Sequence, residues 1–203
     1  TLGTPRIRAT SLFTLDDFDQ IKKFGKGTTV RVYLPVADEE ILARAAQEGI
    51  KLIVVIPYDF AAGSVYSIKE GYYKNYIEDY KKYAAILMYE LGNEYNLHPE
   101  WFKNDINIWY AAAEEAAQVI KSIDPSRPVS MSFGGNVPTA DVLAKCPSVD
   151  VWGLNVYQNL SLSGVYAAWQ ALGANKPMYI AETGADSWNT LINQEDEVAQ
   201  AYA

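Results

Sequence analysis

Cysteine, histidine and basic charge are all scarce in this chain, and each shortage removes a class of function. A single cysteine, Cys146, excludes an internal disulfide framework and a thiolate metal cage, although it does not separate cytosol from periplasm. The one histidine, His98, argues equally against a histidine-rich metal site, so neither a metal nor a cofactor is expected. Lys and Arg number 17 against 25 Asp and Glu, and a net charge of −8 repels a phosphate backbone or an anionic membrane surface. Nucleic acid and membrane are therefore poor partners. Apolar runs such as Leu52–Pro57 fall far short of the roughly 20 residues that cross a bilayer, and no basic-then-apolar leader opens the chain. These features describe a soluble protein.

Apolar residues make up 49% and charged residues 21%, enough for both a core and a hydrated surface, and 203 residues suit one domain. No linker-like or low-complexity stretch interrupts them, so residues 1–203 read as a single domain. The 15 tyrosines, with 5 tryptophans and 6 phenylalanines, exceed what a core needs and suit flat, hydroxylated ligands.

Short β-branched runs alternate with helix-patterned segments, each change marked by Gly, Pro, Asp or Asn. Thr14 and Asp17 form a capping pattern for a helix over Leu15–Phe24, closed by Gly25. Asp38 caps a second helix, which Gly49 stops. Further helices are expected near Tyr73–Tyr83, Lys103–Ile123, Ala140–Ala144 and Val165–Leu172, with another beginning at Gln194. Strand candidates are Arg6–Thr10, Thr28–Leu34, Leu52–Ile56, Ile86–Leu91, Val129–Phe133, Val149–Val156 and Met178–Ala181. Seven strands each followed by a helix predict an α/β fold of the (β/α)₈ barrel type with its eighth strand missing. Such barrels take about 250 residues, so the chain is expected to be a fragment or to be cut short at both ends. A second chain, or self-association, would be another way to complete the barrel. A doubly wound open sheet is the fold alternative, since the same alternation produces it.

In a barrel, chemistry gathers where strands end. Glu94 follows the fourth strand candidate and Glu182 the seventh, on opposite sides of the mouth. One such carboxylate can stay protonated as an acid while the other is ionised as a nucleophile, the division that glycosidic hydrolysis requires. A lone strand-end glutamate reads more simply as a solvated loop residue. The joint occurrence of Asn93-Glu94 and Glu182-Thr183-Gly184 favours the functional reading.

The segments Gly92-Asn93-Glu94 and Ile180-Ala181-Glu182-Thr183-Gly184, with Thr29-Val30-Arg31-Val32-Tyr33 and Trp152-Gly153-Leu154-Asn155-Val156-Tyr157, resemble the clan A retaining glycoside hydrolases. Within that clan the sequence is most similar to the β-1,3-glucanase and glucanosyltransferase type. The resemblance runs from about Asp16 to Glu182. It implies a (β/α)₈ barrel acting on a carbohydrate, with a β-glucan favoured, in a secreted or periplasmic setting. It further implies Glu94 as acid/base, Glu182 as nucleophile and Asn93 as a partner of the sugar 2-hydroxyl. Tyr157 would donate to Glu182, and Arg31, on the same strand face as Tyr33, would favour its ionised form.

The clan's aromatic platform from the eighth strand has no counterpart here, and Trp188 is the candidate substitute as a sugar-stacking surface. Tyr66 and Tyr72 are candidate subsite residues, Gly134-Gly135 is a faint anion-binding signal, and Asn159-Leu160-Ser161 fits a glycosylation acceptor. A Schiff-base lyase needs a lysine at a strand's C-terminal end, whereas Lys51 and Lys176 sit at strand starts. A non-catalytic carbohydrate-binding barrel, or an inactive fragment of a glycosidase, keeps every one of these residues and remains the functional alternative.

Overall fold

The computed structural model describes residues 14–24, 27–34, 37–59, 65–135, 137–157, 162–184 and 187–202. Its main sheet has six parallel strands: β1 (Thr29–Tyr33), β2 (Lys51–Ile56), β3 (Ile86–Leu91), β4 (Val129–Gly134), β5 (Val151–Tyr157) and β6 (Met178–Gly184). They pair in sequence order without reversal, which excludes the doubly wound alternative, where the order turns back on itself. Between them run α2 (Glu39–Glu48), α3 (Tyr73–Tyr80), α4 (Asn107–Ile123), α5 (Ala140–Lys145) and α6 (Leu162–Ala171), with α1 (Leu15–Phe24) before β1. A two-stranded hairpin, β7 (Trp188–Asn189) and β8 (Gln194–Glu195), and a short α7 (Glu197–Tyr202) follow β6. The expected strand Arg6–Thr10, the Gly25 stop and the Asn159–Ser161 acceptor lie outside the described residues.

Local signals set the helices. The Asp17 carboxylate accepts from the Thr14 amide at 2.6 Å and starts α1. Asp38 accepts from the Ile41 amide at 3.1 Å, and Gly49 ends α2 at φ 70°, a backbone state that costs glycine nothing. In α4 the buried residues Trp109, Tyr110, Ala113, Ala116, Ala117 and Ile120 form one stripe against the sheet. That helix starts at Asn107 rather than Lys103, because two 3₁₀ turns over Tyr95–Leu97 and Pro99–Phe102 occupy the approach. The segment expected to begin a helix at Gln194 instead gives β8 first.

The core lies between the strands and the helices. Val32, Leu52, Val54, Ile56, Tyr89, Leu91, Val129, Met131, Trp152, Leu154 and Val156 face outward and are buried under the helix layer. Each such large side chain contributes roughly 1.5–3 kcal/mol, so this layer dominates stability. The opposite strand face carries Arg31, Glu90, Ser130, Ser132, Gly153 and Asn155 beside the buried apolar Ile53, Val55 and Met88, a polar cluster on an otherwise apolar inner face. Two contacts show that the sheet curls around it. Arg31 of β1 reaches Glu182 of β6 at 2.5 Å, although six flat strands would hold those edges about 24 Å apart. The Tyr179 hydroxyl of β6 likewise donates to Glu90 of β3.

At the N-terminal end of the strands Arg127 donates to the carbonyls of Ile86 at 2.9 Å, Lys81 at 2.7 Å and Tyr83 at 2.8 Å, and pairs with the buried Asp124. Lys51 donates to Ala84 O at 2.6 Å and Lys176 to Pro147 O at 2.7 Å, so both lysines serve backbone carbonyls at that end. Arg127→Ala would remove a charged donor from three carbonyls and the cation beside Asp124, whose carboxylate would keep only the neutral donors Tyr89 and Ser126. Loss of about 3 kcal/mol is expected in denaturant unfolding, where a cost below about 1 kcal/mol would contradict this account.

Candidate active site

The polar cluster of the inner face lies toward the C-terminal ends of the strands, and Arg31, Tyr33, Asn93, Tyr157 and Glu182 meet there. Two β-bulges decide which side chains point in. Asn155 pairs with Glu182 where an unbroken register after Leu154–Ile180 would pair it with Ala181. Strict alternation would turn Glu182 outward with Ile180, and the extra residue brings it to the interior beside Asn155. The strand also extends to Gly184, past the expected end at Ala181, so Glu182 is held by sheet pairing. In β3 the ladder skips Leu87 between Ile86 and Met88, which brings Glu90 onto the inner face in the same way.

Arg31 is the centre of the cluster. Its Nε donates to Glu90 Oε1 at 2.5 Å, its Nη1 to Glu182 Oε1 at 2.5 Å and to the Tyr33 hydroxyl at 2.9 Å, and its Nη2 to Asn93 Oδ1 at 3.0 Å. The other Glu182 oxygen, Oε2, accepts from the Tyr157 hydroxyl at 2.8 Å. Asn93 Oδ1 also accepts from Asn155 Nδ2 at 3.1 Å and lies 3.2 Å from Ser132 Oγ. Because a guanidinium can only donate, Arg31 fixes the Asn93 amide with its oxygen inward. Among the described residues no hydrogen bond engages the Asn93 Nδ2.

Glu94 is held differently. It adopts φ 54° just before the first 3₁₀ turn, a left-handed state uncommon for residues other than glycine. Asn96 anchors that turn to the end of β4, donating to Gly134 O at 2.9 Å and accepting from Gly134 N at 2.9 Å. Gly134 is needed there, since a Cβ would stand 2.8 Å from Glu94 Cγ and Oε1. Its amide is taken by Asn96, so of the Gly134-Gly135 pair that amide already has an acceptor. Among the described residues no hydrogen bond or ion pair engages the Glu94 carboxylate.

The electrostatics follow from one cation among several acids. Burial opposes the Arg31 charge, and Glu90, Tyr33 and Glu182 outweigh it, so Arg31 is held above the ordinary guanidinium range. Burial, with Glu182 assisting and Arg31 opposing, pushes the Tyr33 phenol up to about 12. Tyr157 is raised further by burial, by its bond to Glu182 and by the charges of Glu182 and Glu94. Glu94 and Glu182 thus act on one phenol, and Tyr157 stays a protonated donor throughout the neutral range. Burial likewise raises the Glu90 carboxyl, against the pull of Arg31 and the Tyr179 hydrogen bond.

Sequence reasoning missed Glu90, Tyr179, Ser132, Asn155 and Asn96 as parts of this cluster. The available signal was a charged or amide residue inside an apolar strand, at Glu90 and Asn155. Trp188 sits half-exposed in the β7–β8 hairpin, paired in register with Glu195, and makes no hydrogen bond to the Arg31 cluster among the described residues. Tyr66 packs on Tyr76 at 5.2 Å, while Tyr72 is exposed on the approach to α3. Among the described residues no cluster of His, Cys, Asp and Glu could hold a metal ion, and no helix is long and apolar enough to cross a membrane.

No protein-family model and no curated protein sequence matches the chain. Solved structures do match. Bacteroides uniformis β-glucuronidase aligns with a TM-score of 0.59 and 19% identity over 87% of this chain, which spans only 23% of that protein. An endo-1,4-β-mannanase from Eisenia fetida aligns with a TM-score of 0.60 and 12% identity, over 84% of this chain and 69% of that one. The virulence factor SghA, solved in complex with its substrate analogue salicin, gives a TM-score of 0.58 and 12% identity, covering 92% and 69%. At these identities the likeness is one of architecture: the chain has the fold of the (β/α)-barrel glycoside hydrolases, with six parallel strands of the barrel described.

Proposed function

We propose that the chain carries the catalytic centre of a retaining β-glycoside hydrolase or transglycosylase. The observation that carries this reading is the unequal treatment of two glutamates at one mouth. Glu182 has a donor on each oxygen, Arg31 at 2.5 Å and Tyr157 at 2.8 Å, whereas Glu94 has no cation or hydrogen-bond donor among the described residues. The first arrangement fixes the orientation of the Glu182 carboxyl, and the second leaves the Glu94 carboxyl unengaged, the asymmetry that a nucleophile and an acid/base would need. Neighbours named as β-glucuronidase and β-mannanase support a β-glycoside as substrate, and the strand motifs around Arg31 and Tyr33 favour a β-glucan. A polymer of that kind fits a secreted or periplasmic enzyme.

In the first step Glu182 attacks the anomeric carbon, its glycosidic bond breaks, and the Glu94 proton goes to the departing oxygen. A glycosyl ester on Glu182 results. In the second step Glu94, now ionised, takes a proton from water or from a sugar hydroxyl, whose oxygen displaces Glu182. The outward Nδ2 of Asn93 is placed to donate to the sugar 2-hydroxyl, an interaction that strengthens as the oxocarbenium-like transition state forms.

Glu94→Gln removes the proton donor, so glycosides with poor leaving groups should slow by roughly 10²- to 10⁴-fold, while glycosylation by activated aryl glycosides should be nearly unchanged. Equal losses on both would reject Glu94 as the acid. A 2-fluoro glycoside should leave a stable adduct on Glu182 in peptide mass analysis, and proton NMR of the first-formed product should show the substrate's own anomer. Binding without an adduct would instead indicate the non-catalytic carbohydrate-binding barrel, and an inverted product would exclude double displacement.

A further inference from the structure

A carboxylate that sees no substrate lies directly beneath the site. Glu90 has no solvent-exposed surface, yet it stands in β3, between the outward Tyr89 and Leu91 of an apolar strand. A charge there is costly unless fully paired, and it is paired on both oxygens. Oε1 receives Arg31 through Nε and Nη2, each at 2.5 Å, and Oε2 receives the Tyr179 hydroxyl. Arg31 therefore presents one edge of its guanidinium to Glu90 and the other, through Nη1, to Glu182. The space for this arrangement is made by Gly153, where a Cβ would lie 2.9 Å from the Tyr179 hydroxyl oxygen.

We propose that Glu90 is a positioning residue for Glu182: it anchors Arg31 from below and takes part of its charge, so that Glu182 is oriented without being fully neutralised. This rests on the glycosidase reading for its kinetic consequence, but not for its structural one. An anion that must attack carbon loses nucleophilicity in proportion to how tightly a cation holds it. Two carboxylates on one guanidinium divide that hold, since its donors are fixed in a planar fork. Tyr179 keeps Glu90 aligned, and Asn93 shares Nη2, so the sugar-facing amide is set by the same anchor. Among the described residues the charged and titratable groups facing Glu182 are Arg31 and Tyr33 from β1, Glu90 from β3, Glu94 from the following loop and Tyr157 from β5. Among these Arg31 is the only cation, so a change at Glu90 is transmitted through it.

Glu90→Gln keeps the volume and an acceptor for Tyr179 while removing the charge. Three readouts are expected in the full chain. The kcat of the glycosylation step should fall about tenfold with KM nearly unchanged, a change of the size of one charge-assisted hydrogen bond. The acid limb of the kcat/KM profile should move to lower pH, because Arg31 then serves Glu182 alone. In ¹⁵N-edited NMR of the arginine side chains, the Arg31 Nε–H signal should move upfield and the Nη–H signal facing Glu182 downfield. Should Glu90→Gln fail to fold, Glu90→Met, similar in volume, is read by the same signs. Lowered thermal stability with an unmoved pH limb and an unmoved Nη–H signal would overturn the proposal and leave Glu90 as filling. If the unsubstituted protein cleaves no glycoside, the functional reading fails and the NMR result alone decides: redistribution supports the shared guanidinium, and its absence rejects it.

Discussion

A guanidinium offers its N–H groups in one plane, and the inner half of this molecule is arranged around one of them. Arg31 meets Glu90, Glu182, Asn93 and Tyr33 through fixed directions. These partners belong to β1, β3, β6 and the loop after β3, so their meeting ties the two edges of the sheet to its middle. The curl of the strands and the assembly of the site are in that sense one event. A lysine would supply the charge without the fork, and its three donors could not serve these four acceptors in set directions.

Burying these charges opposes folding unless every donor and acceptor finds a partner, since a half-satisfied polar network is worse than an apolar core. Here the pairing is dense. Ser132, Asn155 and Tyr179 complete the acceptors that Arg31 leaves, while the apolar layer on the other strand face supplies the bulk of the stability. Glu94 departs from this pattern. It sits outside the network in a left-handed backbone state, clamped through Asn96 rather than through its own carboxylate. Among the described residues its carboxyl has no hydrogen-bond or ion-pair partner, and its left-handed backbone is held by the neighbouring turn.

Alternation between helix and strand was legible along the chain because each boundary has a local cause: Asp38 and Gly49 around α2, or Pro125 and Pro128 after α4. Glu94 and Glu182 stood out because carboxylates at strand ends gather at one face of a barrel, whereas Arg31, Asn93 and Tyr157 were singled out only through the resemblance of their motifs to the clan A glycosidases. Glu90, Asn155 and Tyr179 escaped notice, since a polar residue within a strand gains meaning only once its facing side is known. Trp188 was singled out by residue type alone; it lies half-exposed in the β7–β8 hairpin that follows β6, in register with Glu195.

Chemical type and local order are thus written in the sequence: which residues can carry a proton, which can accept one, and where helices start and stop. Facing is not. Skipping one residue at Ala181 and one at Leu87 reverses the side on which every later side chain of those strands falls, and a period-two pattern contains no mark of it. Only the closure of six strands around one arginine determined that Glu90 and Glu182 would share it, because that contact joins residues whose distance in sequence exerts no local force.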